Sequence, residues 1–441
     1  MRALQKNSER MILAIDFGST SFKTGLFDRT LRQVGGGNAP VRYRYASGGR
    51  VELDVSVAEA ALRQALPKKM AGLEAIAITS QAQTFTVLDS RGRATRPFIS
   101  WQDGRAVEAC DRLKRRLPDF AEHCSFADLL PTLQVCQLQH APVKASEWVV
   151  KLPTYFVRLW IGEAVLDDNL AAMSGLYSLK LRGWWLPAAG SMRLPRVIPV
   201  GTVAGVTGAN QFGLPVGVPV VLAGNDQTAG AYAAQLEKRQ AALLTLGTAQ
   251  VVYACCSRMP RPKSGLIRGP YPGGLFYRMA ADGCGANLTN WAETVLAGCA
   301  THDQFFAHAA RAPVGCQGLV YDADRGAWLN IGMHHTSADM ARAILESLSQ
   351  RLAGLLAQVG DGRRLRLLVA GGGSQRQVWR AILSAAVAGR LTRTEASPLS
   401  GAARMGARIG METSERPTLN AQLRTFNGGA SGHCHHRPDC L

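Results

Sequence analysis

Residues Ile12 to Asp28 read ILAIDFGSTSFKTGLFD. An apolar run ends at Asp16, the chain turns on Gly18, Ser19, Thr20 and Ser21, and the sequence becomes apolar again. Apolar residues on both sides of a small, hydroxyl-rich turn predict two antiparallel strands. The turn gathers backbone N–H groups and hydroxyls with no bulky side chain in front of them, which suits an anion. Asp16 opposes that reading: a carboxylate beside an anion is repulsive unless a cation lies between them.

The same pattern returns past the midpoint. ALLTLGTAQVVYACC, from Ala242 to Cys256, again runs apolar strand, glycine with threonine, apolar strand. Two halves built on one unit would set two glycine turns facing each other over one ligand. LEAIAIT (73–79), VPVVLAG (218–224) and LRLLVAG (365–371) read as further buried strands. The apolar spacing over 338–359 and 376–389 predicts helices. Strands and helices alternate throughout, so the fold class is α/β.

Size and composition limit the function. A chain of 441 residues suits two domains, and 47% hydrophobic residues suit a globular protein. No apolar run reaches the roughly 18 residues that cross a bilayer. The charged start, ending quickly in Asp16, does not resemble a secretion signal, so a cytoplasmic location is expected. Ten cysteines show no paired spacing and imply free thiols in a reducing compartment. The formal charge of +18 is compatible with nucleic acid, an acidic membrane surface or a phosphate-rich substrate. The densest cluster, RLKRR at 112–116, reads as a solvated helix face without interleaved aromatics, so no nucleic-acid partner is expected.

Three segments can carry chemistry. In VPVVLAGNDQTAGAYAAQLE a buried strand ends and Asp226 follows, where α/β sheets place catalytic groups; the plainer reading is that Asp226 caps the next helix. In LLVAGGGSQRQVWRAIL, Gly371, Gly372 and Gly373 join strand to helix, either letting a ligand approach the backbone or making a tight turn. In ITSQAQTFTVLDSRGRATRPFISWQDGRA, Gln81, Gln83, Trp101, Asp103 and Arg105 come close together. Amides, a carboxylate and an indole face are suited to a polyol. The alternative is a hairpin turning at DSRG, with Asp103 and Arg105 as a surface ion pair.

Taken in this order, the segments resemble the FGGY family of carbohydrate kinases. The motifs that carry the resemblance are IDFGSTSFKTGLFD, GNDQTAGA, TLGTAQ, ADGCGANLTNW, AGGGSQRQVWRAIL and SPLSGAARMGA, and the likeness runs from Met11 to Glu412. It implies two related actin-like ATPase (ribonuclease H-like) domains with an interdomain cleft. Residues 11–236 would form the sugar-binding domain, 237–412 the nucleotide-binding domain, and 413–441 a loose tail. ATP and Mg2+ are the implied cofactors, and Asp16 would hold the metal through water, supplying the missing cation. Asp226 would be the general base. ATP would meet Gly18, Ser19, Thr20, Ser21, Lys23, Gly247, Thr248, Gly371, Gly372, Ser374 and Gln375. The sugar would meet Gln81, Gln83, Trp101, Asp103 and Asp226.

SWQDGR, DNLAAMSGLYSLKLRGWW and GTVAGVTG look most like the sedoheptulokinase branch, with the xylulokinase branch next. Glycerol kinases usually carry Arg-Glu where this chain has Ala82-Gln83, which favours a ketose. Two stretches depart from the family: TLQVCQLQ (132–139) and YDADRGAW (321–328), both expected near substrate or domain contacts. The expected partners are a small sugar and ATP, without a membrane; a homodimer is compatible with them. A catalytically weak sugar sensor on the same scaffold, or a glycerol-type kinase, are the alternatives. In the tail, His433, Cys434, His435, His436 and Cys440 are close enough to ligate zinc, but chance clustering of His and Cys in a loose tail is the preferred reading.

Overall fold

The computed structural model describes residues 10–360 and 365–415. The first sheet contains β1 (Met11–Phe17), β2 (Ser21–Asp28), β3 (Gln33–Pro40), β4 (Leu73–Ser80), β5 (Thr202–Val206) and β6 (Pro219–Asn225), in the order β5-β6-β4-β1-β2-β3. β1 and β2 form the hairpin expected of the opening stretch, with Asp16 opposite Lys23. On its other side β1 runs parallel to β4, which runs parallel to β6. All seven residues of β6 are buried, as an uninterrupted apolar run between two covered faces requires.

The second sheet repeats this plan. It contains β7 (Ala241–Leu246), β8 (Gln250–Cys256), β9 (Ile267–Tyr271), β10 (Leu275–Asp282), β11 (Arg366–Ala370) and β12 (Leu391–Arg393), in the order β9-β10-β8-β7-β11-β12. β7 and β8 make the second hairpin, and β7 runs parallel to β11, which runs parallel to β12. Thus β6-β4-β1-β2-β3 corresponds, strand for strand, to β12-β11-β7-β8-β10. The two halves that the repeated strand–glycine–strand pattern suggested are two such sheets.

Alternation along β1 divides its side chains between two cores. Leu13, Ile15 and Phe17 join Phe22, Ile76, Phe156 and Trp160 on one face. Ile12 and Ala14 face Ala402, Ala403, Met405 and Ile409 of the helix Pro398–Glu415. Although that helix follows the second sheet in sequence, it packs on the first, because its small residues fit against the similarly small Ala75, Ala77 and Ala223. It also runs to Glu415, three residues beyond the expected boundary. The remaining tail, including the candidate zinc ligands, lies outside the described residues.

Segments between β3 and β4 and between β4 and β5 together build a separate layer around a five-stranded sheet and the helices Val107–Arg116 and Gln134–His140. On Val107–Arg116, Leu113 is buried while Arg112, Lys114, Arg115 and Arg116 are exposed, so RLKRR is a solvated face. This layer touches the second sheet: Arg268 of β9 donates to the carbonyls of Ala121 and Glu122 at 2.7 and 3.1 Å. Asn169 Nδ2 donates to the Pro270 carbonyl at 2.8 Å. Among the described residues no helix is long and apolar enough to cross a membrane.

Candidate functional site

Asp16 and Asp226 stand at the same edge of the first sheet. In the strand register Asp16 lies beside Thr79, and Asn225 beside Ser80, so only β4 separates the two carboxylates. Two interstrand spacings place their backbones about 10 Å apart. Asp16 is 7% exposed and its Oδ1 has no hydrogen-bond partner. Burial first, and then the charge of Asp226, push its pKa up to about 7, against the opposing pull of Lys23. An orphaned, buried carboxylate oxygen that feels a second carboxylate fits a hard divalent cation held directly or through water.

Asp226 is not the helix cap. Asn225 caps the helix Asp226–Ala233, its side chain accepting from Thr228 N at 2.7 Å. Asp226 is therefore the first helical residue, and its Oδ1 accepts from Gln227 N at 2.8 Å. Burial raises its pKa. It opens onto a cavity of about 270 Å³ whose other walls include Thr245, Gly371, Ser374 and Gln375 of the second half. The two halves therefore share one crevice at this carboxylate.

The two glycine turns are held firmly. In the first, a Cβ on Gly18 would lie 2.8 Å from the Ser21 carbonyl, and Gln81 Nε2 donates to the Gly18 carbonyl at 3.2 Å. Ser19 is partly exposed, Thr20 and Lys23 are exposed, and Ser21 is buried. In the second, Gly247 N donates to the Ala249 carbonyl at 3.2 Å, and Ala286 N to the Gly247 carbonyl at 2.8 Å. Thr248 is exposed at its tip. Beside it Gln250 is fully buried with neither amide atom partnered, a feature the sequence reading missed.

The three glycines after β11 have different tasks. Gly371 has φ +88°, and a Cβ there would lie 2.5 Å from the Leu246 carbonyl. Gly373 abuts the ring of Trp379, whereas Gly372 faces open space. The tight-turn reading therefore explains Gly371 and Gly373, and only Gly372 leaves backbone free for a ligand to approach. Ser374 Oγ is occupied with the Gly371 carbonyl at 2.6 Å, while Gln375 is exposed.

The expected sugar contacts are each tied to neighbouring protein groups by hydrogen bonds. Gln81 Nε2 donates to Tyr43 Oη at 2.8 Å as well as to Gly18, and its Oε1 accepts from Thr84 at 2.9 Å. Thr84 in turn accepts from Trp101 N at 3.2 Å. The Trp101 side chain remains 39% exposed. Gln83 Nε2 donates to the Met173 carbonyl, and its Oε1 accepts from Gln134 N at 3.4 Å. Asp103 is 0% exposed and accepts from Arg105, from Val51 N at 2.7 Å and from Gln137 Nε2 at 3.3 Å. Its ion pair with Arg105 is thus buried, not on the surface, and its carboxylate faces protein. The hairpin turning at DSRG is also present: Asp89 N donates to the Arg93 carbonyl at 2.9 Å. Tyr43 escaped the sequence reading; Gln134 and Gln137 lie in TLQVCQLQ and Met173 in DNLAAMSGLYSLKLRGWW, stretches singled out as wholes and not for these side chains.

Residues 11–233 match the N-terminal domain of the FGGY family of carbohydrate kinases. The chain is 23% identical over 406 residues to a xylulose kinase of Lactococcus lactis, covering 82% of this chain and 80% of that one. It is 33% identical over 249 residues to a glycerol kinase of Brucella suis, covering 49% of each. Its fold is similar to the crystal structure of gluconate kinase from Lactobacillus acidophilus, with a TM-score of 0.81 at 18% identity over 95% of this chain and 96% of that one. The architecture is a two-lobed α/β fold with one mixed six-stranded sheet in each lobe.

Proposed function

The chain belongs to the FGGY family of carbohydrate kinases, and from that premise we propose that it moves the terminal phosphoryl group of ATP to a hydroxyl of a ketose such as sedoheptulose or xylulose, with Asp226 as the general base. The observation that carries this reading is that Asp16 and Asp226 lie at the same end of the first sheet with one strand between them, close enough for one charge to alter the other. A sugar hydroxyl is a poor nucleophile. The Asp226 carboxylate would accept the hydroxyl proton as phosphorus is attacked. Its raised pKa makes it a stronger acceptor than an ordinary carboxylate.

Asp16 would hold magnesium, which when bound neutralises charge on the phosphate oxygens. The first turn, from Gly18 to Ser21, and Lys23 would hold the transferring phosphate, while Gly247 and Thr248 would meet it from the other lobe. Gly372 and Gln375 would lie along adenosine, with Gly371 and Ser374 shaping that turn. Gln83 and the Trp101 face would meet the sugar, while Gln81 and Asp103 would support them from behind. We place the reaction in the cytoplasm, where ATP is available.

Likeness to a glycerol kinase over half the chain favours a polyol acceptor as the second reading. Against it, Ala82-Gln83 lacks the arginine and carboxylate that would make charge-assisted bonds to glycerol. Coupled ADP release over ketoses, polyols, aldoses and aldonates tests both readings. Turnover confined to ketoses supports the first, and preference for glycerol replaces it with the second. Sugar binding without ADP release from any acceptor points instead to a sensor.

A further inference from the structure

Beyond Gln83, on the side away from Asp226, the helix Gln134–His140 begins with a polar group that the fold leaves unserved. The Gln134 side chain is 3% exposed, its Oε1 is buried without a partner, and its Nε2 makes no hydrogen bond among the described residues. One turn along, Gln137 is 1% exposed; its Nε2 is tied to Asp103 and to the Pro131 carbonyl, and its Oε1 is also orphaned. Buried amides are nearly always satisfied, because desolvating a polar group without replacing its bonds to water is costly. Two unserved carbonyls on one helix call for donors that enter from outside.

A continuous set of contacts joins this position to Asp226. Asn225 Nδ2 reaches Met173 Sδ at 3.2 Å, the Met173 carbonyl accepts from Gln83 Nε2, and Gln83 Oε1 accepts from Gln134 N at 3.4 Å. An acceptor whose reacting hydroxyl sat at Asp226, beside Asn225, and whose carbon chain ran along these residues would end at Gln134.

We propose that Gln134 is a specificity-determining residue whose amide receives hydroxyls at the end of the acceptor remote from phosphoryl transfer, selecting a neutral polyhydroxy chain over a shorter polyol or a chain ending in carboxylate. This rests on the kinase reading of the crevice. The chemistry follows from the donor inventory. A hydroxyl donates and accepts, as an amide does, so one hydroxyl or a pair satisfies both Nε2 and Oε1. A carboxylate only accepts and would leave the buried oxygen orphaned, while glycerol is too short to arrive.

Gln134→Met keeps length and volume and removes the amide. With the best extended neutral acceptor, KM should rise about tenfold, the size of one or two neutral hydrogen bonds, while kcat and KM for ATP stay within about twofold. The unliganded variant should melt at or above the wild-type temperature, because an unsatisfied buried group has gone. A sugar KM that does not move overturns the proposal. So does a lowered melting temperature, failure to fold, or a parallel loss in kcat and KM for ATP, each of which would make the amide structural. If wild type releases ADP with no acceptor, the kinase reading fails by itself. The sugar-induced rise in melting temperature then tests Gln134 separately: its loss in Gln134→Met supports the proposal, and its persistence, or its absence from wild type, overturns it.

Discussion

Asp16 and Asp226 flank the end of a single strand, and the negative charge of Asp226 helps hold Asp16 near neutrality. Such a pair opposes folding of the unliganded protein and favours whatever positive group enters between them. Replacing Asp16 with Asn removes the repulsion and the orphaned anionic oxygen together. The Asp16→Asn protein should therefore melt higher than wild type at pH 8 without ligands. By calorimetric titration it should lose most of the tightening of ATP binding that magnesium gives. A variant that melts lower and still responds fully to magnesium would remove Asp16 from the metal site.

The second carboxylate makes a different prediction. Asp226→Asn keeps the side chain's shape and its bond to Gln227 N, so the helix start and its Asn225 cap should survive. Only proton acceptance is lost, and general-base contributions are about 10²–10⁴-fold. The kcat should fall by that factor, while the Kd for ATP measured with magnesium stays within about twofold. Near-normal turnover would exclude Asp226 as the base.

Acid stability should depend on Asp103. Burial raises its pKa, but the bonds from Arg105 and Val51 N outweigh burial and hold it below the ordinary carboxylate value of 3.8. A folded pKa below the unfolded one means that the stabilisation is complete above about pH 4 and is lost as pH falls through the lower folded value. At pH 7, Asp103→Asn should cost about 3 kcal/mol in urea unfolding, at the low end for breaking a buried pair, because Arg105 keeps Glu52 at 2.8 Å. Below pH 4 the gap between variant and wild type should narrow. A gap that is constant with pH would mean that charge at Asp103 does not matter.

These residues also show where sequence reading succeeds and where it stops. Both hairpins were legible because an apolar run, a glycine turn and a second apolar run constrain each other locally. The parallel neighbours β4, β6 and β11 were legible because strands covered on both faces are apolar without interruption. The cap at Asn225 was not, since Asn and Asp cap equally well and stand side by side; only geometry shows which one turns back to Thr228. The return of Pro398–Glu415 to the first sheet is a long-range fit of small residues that no local spacing announces. Asp103 stood open between a sugar contact and a surface ion pair, because its burial depends on Arg105, Val51 and Gln137 arriving together. Gln134 and Gln137 lie in a stretch expected near substrate or domain contacts, but nothing local shows which of its side chains are buried.

Adjacent glycines in the adenosine turn should respond oppositely to one methyl group. At Gly371 the backbone is left-handed, with φ +88°, and a Cβ would meet the Leu246 carbonyl at 2.5 Å, so neither strain nor crowding can relax without moving β7. Gly371→Ala should destabilise the protein by at least about 2 kcal/mol in urea unfolding. At Gly372 nothing lies within 4 Å and φ is not in the left-handed region, so alanine is tolerated to within about 0.5 kcal/mol. The methyl group there projects into the space assigned to nucleotide, and Gly372→Ala should raise the Kd for ADP while leaving the unliganded melting temperature nearly unchanged. Unchanged ADP affinity in Gly372→Ala would move adenosine off this turn, and full stability in Gly371→Ala would show that β7 yields more easily than its central place in the second sheet implies.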